Sequence, residues 1–372
     1  MRIVVDRSHL LKSLSRVHRV VERRNTIPIL SNVLIDASQG KVEFKATDLD
    51  LEVTEQTLGN IEQDGATTVP AHLLYDIVRK LPDGGEVKLS VSDNGQTMSV
   101  ISGRSNFKLQ CLPKADFPEL SAGEFTHHFT LTASALKRLI DCTQFAISTE
   151  ETRYYLNGIH FHVIDNEGLK LRAVATDGHR LAQAEMVAAE GSEGMPGIII
   201  PRKAVSELQK LLGDDSDAEI KIELSESKIR FVVDSVVLTS KLIDGTFPEY
   251  QRVIPVNNDK KLVIDRQGFA SAVDRVSTIS SDRGRAVKLS IESGQVTLTV
   301  NNPDSGSAED QISAEYDADS IEIGFNSRYL LDIAAQLSGD NAIFMLADSG
   351  APTLIRDDAD ADALYVLMPM RV

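Results

Sequence analysis

Ile3-Val4-Val5-Asp6-Arg7 opens a segment that continues with Leu10, Leu14, Val17 and Val20, and Leu262-Val263-Ile264-Asp265-Arg266 opens one that continues with Phe269, Val273, Val276 and Ile279. The offsets are identical. A third version begins at Phe129-Thr130-Leu131 and runs through Leu136, Ile140, Thr143 and Ala146. A short apolar run followed by apolar residues three and four apart reads as a strand leading into an amphipathic helix. Three copies at this long spacing mean tandem domains, because solenoid repeats recur every ~20 to 50 residues.

The later part of each unit repeats too. Thr67-Thr68-Val69-Pro70 leads into Leu74, Ile77 and Leu81; Ile198-Ile199-Ile200-Pro201 leads into Val205, Leu208 and Leu212; Ile323-Gly324-Phe325-Asn326 leads into Leu330, Ile333 and Leu337. Each is expected to be a strand and a second helix, with Pro70 and Pro201 in the first helical turn and Asn326 as N-cap. Asp116-Phe117-Pro118-Glu119-Leu120 and Thr246-Phe247-Pro248-Glu249-Tyr250 close the first two units alike. The expected domains are 1–123, 124–254 and 255–372.

Between the helices the apolar period becomes two. Val87, Leu89 and Val91, then Met98 and Val100, then Phe107, Leu109 and Cys111 alternate with polar residues, as do Ile220, Ile222 and Leu224, and Val296, Leu298 and Val300. Turn signals such as Asp83-Gly84-Gly85 and Asp93-Asn94-Gly95 separate them. The fold class is therefore α+β: antiparallel sheets with two helices per unit and no train of βα crossovers.

Composition limits the function. The 372 residues hold 42% apolar side chains, enough for several cores, and no apolar run approaches the ~18 residues of a membrane helix. Met1 enters a strand pattern without a leader-like segment, so a cytoplasmic chain without a membrane partner is expected. Cys111 and Cys142 lie in different units and suggest neither a disulfide framework nor a zinc site. A net charge of −16 argues against a protein that coats nucleic acid nonspecifically. Positive charge nevertheless gathers on predicted helices: Arg7, Lys12, Arg16, Arg19, Arg23 and Arg24, then Lys137 and Arg138, then Arg79, Lys80, Arg202, Lys203 and Lys210. Asp214, Asp215 and Asp217, and Asp357, Asp358, Asp360 and Asp362, read as solubilising loops.

Catalytic motifs are mostly missing. There is no phosphate loop, dinucleotide fingerprint, His-Glu-x-x-His or Gly-x-Ser-x-Gly, and no cofactor is implied. His160 and His162 share one face of a strand but have no acidic or thiol ligands beside them. Asp177 and His179 could be an acid and base pair of a hydrolytic enzyme acting on nucleic acid. The Thr-Asp step of Thr176-Asp177 also occurs as Thr47-Asp48, which points instead to a repeated turn. A three-domain adaptor that binds partner peptides without encircling DNA is the other class left open.

Arg153-Tyr154-Tyr155-Leu156-Asn157-Gly158, Ala175-Thr176-Asp177-Gly178-His179-Arg180-Leu181, Gly245-Thr246-Phe247-Pro248-Glu249-Tyr250 and Met368-Pro369-Met370-Arg371 together resemble the beta subunit of bacterial DNA polymerase III. The resemblance spans the whole chain. It implies a non-catalytic sliding clamp: a head-to-tail homodimer forming a closed ring of six domains, with helices inside and sheets outside. The ring would encircle double-stranded DNA without regard to sequence and tether the catalytic subunit of DNA polymerase III. A clamp-loader complex would open it, and other polymerases and repair proteins would dock through clamp-binding peptides. Three similar domains per chain can close such a ring through a heterologous interface.

The resemblance also implies sites. A partner-peptide pocket would be lined by Leu156, Thr176, Gly178, His179, Arg180, Leu181, Pro248, Arg252 and Val253 from the second unit. The third would add Asn326, Tyr329, Val366, Leu367, Met368, Pro369, Met370 and Arg371. Arg24, Tyr154, Tyr155, Arg202 and Lys203 would meet DNA. Arg104, Phe107 and Leu109 would meet Phe269, Val276, Thr278 and Ile279 of a second copy, with Arg104 facing acids such as Asp304, Glu309 or Asp310.

Overall fold

The computed structural model describes residues 1–120, 123–165, 167–213, 217–280 and 284–371. Its six α-helices among the described residues come two per repeat: α1 (Arg7–Val17), α2 (Ala71–Lys80), α3 (Ala133–Gln144), α4 (Arg202–Leu211), α5 (Arg266–Ser277) and α6 (Ser327–Ala334). The opening motif is a strand, a cap and a helix. Asp6 accepts from the backbone N–H groups of Ser8 (2.8 Å) and His9 (3.4 Å), and Asp265 accepts from that of Gly268 (2.6 Å). Each carboxylate satisfies N–H groups that the helix itself leaves unpaired. Leu10, Leu14 and Val17 of α1 and Phe269, Val273 and Val276 of α5 are buried along one stripe. Asn326 caps α6 by accepting from Arg328 N–H at 3.0 Å. Pro70 and Pro201 sit one place earlier than expected, as the last residues of the strands that precede α2 and α4.

The three tandem repeats do not pack as three separate bodies. By contacts the chain forms two compact units, residues 1–134, 189–192 and 203–242, and residues 135–188, 193–202 and 243–372. The middle repeat contributes to both. In the first unit, His127–Thr132, Glu219–Leu224, Lys228–Val233 and Val236–Lys241 continue through Leu51–Thr57, Lys41–Thr47, Asn32–Ser38 and Gly65–Pro70 as one eight-stranded sheet. The join is the antiparallel pairing of Ser240 with Leu51 through Val236 with Glu55. A five-stranded sheet from Asn60–Gln63 to Ser105–Gln110 completes this unit, and α1 packs on strands of both sheets and against α2.

In the second unit a nine-stranded sheet runs Ile198–Pro201, Gly158–Asp165, Leu169–Thr176, Arg180–Val187, Ala363–Leu367, Thr353–Asp357, Asn341–Leu346, Lys260–Asp265 and Glu315–Tyr316. Its join pairs Arg180 with Leu367 through Ala184 with Ala363. Gly306–Ser313, Gln295–Asn302, Ala286–Glu292 and Ile321–Asn326 form a four-stranded sheet. Among the described residues, Ser105–Gln110 and Gly306–Ser313 each end their sheet with an edge that no further strand covers. No helix among the described residues is long and apolar enough to cross a membrane.

Of the C-terminal aspartates expected to form a solvated loop, Asp358 and Asp362 are exposed, but Asp357 and Asp360 are drawn into the fold. Asp357, 6% exposed, accepts from the N–H groups of Ser338 (2.6 Å), Gly339 (3.0 Å) and Ala359 (3.0 Å). Asp360 takes both arms of Arg138 at 2.5 and 2.7 Å, and Asp362 receives Lys170 at 3.3 Å. A carboxylate beside a chain reversal is worth more to those backbone donors than to water. Asp214 and Asp215 lie outside the described residues.

Candidate functional site

In the second unit the chain reverses at Thr176–Arg180. Thr176 Oγ1 donates to Arg180 O (2.7 Å) and accepts from Gly178 N–H (3.1 Å), while Asp177 Oδ1 accepts from the N–H groups of His179 (2.9 Å) and Arg180 (3.0 Å). Asp177 is thus a turn-forming acceptor, and its carboxylate is spent on backbone rather than aimed at the His179 ring. Gly178 has φ +89°, and a Cβ there would lie 2.5 Å from Arg153 Nη1. The positive φ is what requires glycine, and a side chain there would also have to displace the Arg153 guanidinium. What approaches its backbone within the chain is Arg153, which in turn grips Glu150 at 2.7 and 2.8 Å.

Beside this turn lies a cavity of about 300 Å³. Of the expected residues, Leu156, Thr176, Gly178, His179, Arg180, Leu181, Pro248, Val253, Val366 and Met368 line it. Val253 and Met368 are 49% and 40% exposed, so two apolar side chains stand at its mouth without apolar cover. Its floor is the buried cluster of Leu156, Leu181, Phe247, Tyr250 and Val366. Arg153, Tyr155, Glu249 and Tyr250 also line it and were not among the pocket residues expected. All four lie inside motifs already singled out, Arg153-Tyr154-Tyr155-Leu156 and Phe247-Pro248-Glu249-Tyr250, so position within the motif was the available signal.

A buried polar chain fixes the floor. Arg172 donates to Tyr250 Oη (2.9 Å) and, through two nitrogens, to Glu185 Oε2 (2.6 and 2.8 Å); Glu185 also holds Lys170 at 2.6 Å. Tyr250 Oη meets His162 Nε2 at 3.0 Å. His160 and His162 stack at 4.3 Å, and His160 stacks on Phe247 at 4.7 Å. Burial, helped by His160 and Arg172, pulls His162 down to about 3, and burial lowers His160 as well. The pair is a neutral aromatic stack under the cavity. No cluster of three or more metal-ligating side chains occurs among the described residues.

The remaining expected pocket residues divide. Arg180 is 9% exposed and committed: it binds Asp177 (3.1 Å), Asp332 (2.6 Å) and Phe145 O (2.7 Å) and lies 4.2 Å over the Tyr329 ring. It clasps the site and presents no free charge to a ligand. Tyr329 also stacks on His179 at 6.4 Å. Arg252 is exposed and paired with Glu249 at 2.5 Å. Leu367 is wholly buried, and Asn326 is spent on its cap. Pro369, Met370 and Arg371 turn away from Met368 into a separate depression of about 930 Å³, shared with Lys288, Glu322 and Gly324. Met370 N–H donates to Gly324 O at 2.8 Å, which splits the chain end between the two hollows.

The other sets divide as well. Arg24, Arg202 and Tyr154 are exposed, Tyr154 at 53%. Lys203 is not available: it binds Asp48 (2.6 Å), Glu22 and Val20 O. Tyr155 turns into the cavity wall. Phe107 is 38% exposed beside exposed Arg104, whereas Leu109, Phe269 and Val276 are 5%, 1% and 2% exposed and belong to cores of the single chain. Exposed Thr278 and half-buried Ile279 remain accessible, as do Asp304 and Glu309; Asp310 already pairs with Arg275 at 2.6 Å.

Among the described residues the chain is a tandem three-domain α+β protein with two helices per repeat and a cavity whose mouth is apolar. Models of the DNA polymerase III beta subunit match throughout, its N-terminal domain at residues 1–121, central domain at 130–249 and C-terminal domain at 251–371. The chain belongs to the DNA polymerase III beta subunit family. It is 50% identical to the beta sliding clamp of Caulobacter vibrioides and 41% identical to that of Escherichia coli K12, in each case over 100% of both chains. The crystal structure of a DnaN sliding clamp from Bartonella birtlesii bound to griselimycin superposes with a TM-score of 0.97 at 69% identity, and Caulobacter crescentus pol III beta with 0.94 at 49%, both covering 100% of each chain. The function is that of a sliding clamp, a non-catalytic processivity factor of DNA polymerase III that works on DNA with polymerase.

Proposed function

We propose that the cavity beside the Thr176–Arg180 turn is where this clamp receives short extended segments of the DNA polymerase III catalytic subunit, of clamp-loader subunits, and of other polymerases and repair proteins. The observation that carries this is a preformed apolar floor whose mouth exposes Val253 and Met368. Such a site offers an entering leucine or phenylalanine desolvation at little ordering cost. Micromolar affinity, about −8 kcal/mol, suits partners that exchange. A labelled polymerase peptide should bind the full chain in fluorescence anisotropy and fail to bind Met368→Asp, with circular dichroism unchanged; equal affinity in the two proteins overturns the assignment.

Two copies joined head to tail give a cytoplasmic ring of six domains around duplex DNA. The free edges of Ser105–Gln110 and Gly306–Ser313 support this join, with Arg104 exposed just before the first and Lys108 on it, and Asp304 and Glu309 exposed on or beside the second. Two unpaired edges invite strand addition, and opposite charge sets which edge is accepted. Phe107, rather than the buried Leu109, is the accessible apolar contact. Phe107→Asp should sediment as a folded monomer. Arg24, Arg202 and Tyr154 supply weak contact to phosphate and sugar in the hole, so the ring should stay on nicked circular DNA and slide off once the circle is linearised.

A further inference from the structure

The turn that carries the cavity is built twice. In the first unit Thr47 Oγ1 donates to Leu51 O (2.9 Å) and accepts from Leu49 N–H (3.0 Å), and Asp48 Oδ1 accepts from the N–H groups of Asp50 (3.0 Å) and Leu51 (2.7 Å). These are the bonds of Thr176–Arg180, one for one. The neighbouring strand corresponds as well. Lys241 N–H donates to Asp50 O at 2.8 Å, as Met368 N–H donates to His179 O at 2.9 Å. Lys241 therefore occupies the place of Met368. The closing motifs complete the match, since Phe117 and Phe247 are both buried and Pro118-Glu119-Leu120 answers Pro248-Glu249-Tyr250.

This second copy also encloses a hollow of about 300 Å³, lined by Thr47, Leu49, Pro118, Glu119 and Leu120 at positions equivalent to five that line the first, together with Lys228 and Lys241. Leu49 is the outlier. It holds φ +81°, a conformation that disfavours side chains, and it is 40% exposed. Neither burial nor backbone preference explains an exposed, strained leucine, and such outliers concentrate where a ligand is held. Of the lining charges, Lys241 stands where the first site has the apolar Met368. Lys241 is paired with Asp50 at 3.0 Å, but both side chains are largely exposed, and surface pairs of this kind exchange readily.

We propose that this hollow is a second docking site, taking a short extended segment of a partner protein that sets one large apolar side chain against Leu49, Pro118 and Leu120 and a carboxylate against Lys241. Leu49 supplies the apolar contact that Val253 and Met368 supply in the second unit, and Lys241 changes the selected neighbour from apolar to acidic. The idea borrows the docking reading of the unit-two cavity but occupies different residues.

The test uses the full chain carrying Met368→Asp, which closes the unit-two cavity. The probe is a fluorescein-labelled nonapeptide with two leucines flanked by aspartates, and the control is the same peptide with lysines for aspartates. Saturable binding of the acidic probe is expected in anisotropy, weakened at least about tenfold by Leu49→Gly and by Lys241→Glu, with the lysine control at least about tenfold weaker. Leu49→Gly relieves the backbone and Lys241→Glu is exposed, so both chains should fold. No binding in the Met368→Asp chain, indifference to both substitutions, or displacement by duplex DNA but not by unlabelled peptide overturns the second site. None of those outcomes bears on the first cavity, which is read separately by the polymerase peptide on the chain without Met368→Asp.

Discussion

The turns Thr47–Leu51 and Thr176–Arg180 share every backbone bond and differ in what stands on them. Glycine at 178 lies against Arg153, whereas leucine at 49 stands 40% exposed in the lining of its hollow. Behind the second turn, Arg172, Glu185, Tyr250 and His162 form a buried polar chain. Strand register puts Asp36 of the first unit at the place of His162, since Asn32 and Gly158 pair with Pro70 and Pro201 respectively. Asp36 there makes a partly exposed ion pair with Lys114 at 2.5 Å and is also held by the Ser38 side chain. The lesson is that duplication conserves the scaffold that hydrogen bonds dictate, while side chains facing the hollow are free to diverge.

Exchanging the two turn residues should break the symmetry most. Gly178→Leu combines positive φ with a collision against Arg153, and is expected to cost about 3 kcal/mol in urea denaturation and to weaken peptide binding. A cost below that of an ordinary surface change would mean Arg153 moves freely and the close approach is incidental.

Removing the turn acceptor should affect both copies, but unequally. Asp177→Ala is expected to lose about 2 kcal/mol and Asp48→Ala about 1 kcal/mol. The former also uncouples buried Arg180, the latter the half-exposed Lys203. Equal losses would show that the cation clasp adds nothing to the turn.

Acid should separate the units. His162 has its ordinary value near 6.5 when unfolded and about 3 when folded. Between those values the unfolded state holds the extra proton, so stability is complete above about pH 6.5 and falls as pH drops, by up to about 1.4 kcal/mol per pH unit for one proton. Asp36 is also lowered: burial raises it, but Ser38 and especially the Lys114 ammonium outweigh that, so its contribution is lost only below its ordinary 3.8. Amide exchange between pH 6.5 and 4.5 should therefore accelerate in Gly158–Asp165 and Leu169–Thr176 before Asn32–Ser38, while His18, which burial also lowers, should act in the same range on the segment around residues 17–20. His162→Phe should reduce that difference, and an unaltered profile would sink the assignment to this histidine.

The smallest effect runs the other way. Leu49→Gly should stabilise the chain by up to about 1 kcal/mol by releasing the left-handed strain. A loss of stability would mean that Leu49 packs more than its exposure indicates.

Much of this architecture was legible because local physics dictates it. The repeat offsets, the α and β periods, the Asn326 cap and the shared Thr-Asp turn follow from residue type and spacing alone, and the four ordered motifs were enough to mark the family and most of the cavity wall. Other features depend on partners distant in sequence. Arg180 looks like a ligand-binding cation until Asp332, Phe145 and Tyr329 close around it, and Lys203 looks free until Asp48 and Glu22 arrive. Asp357 and Asp360 look like solvated loop charges until the Ser338–Gly339 backbone and Arg138 are brought beside them.

By itself, then, the sequence determined three tandem repeats and their strand-and-helix order, because propensity, period and capping act over a few residues, while the docking role came from the resemblance carried by its motifs. Only the tertiary structure decided that the middle repeat is shared between two continuous sheets, that Met368 and Met370 part into different hollows, and that Lys241 stands where Met368 does. Strand pairing between segments far apart in sequence sets those neighbours, and period-two patterning specifies which face a residue takes without specifying which strand lies beside it.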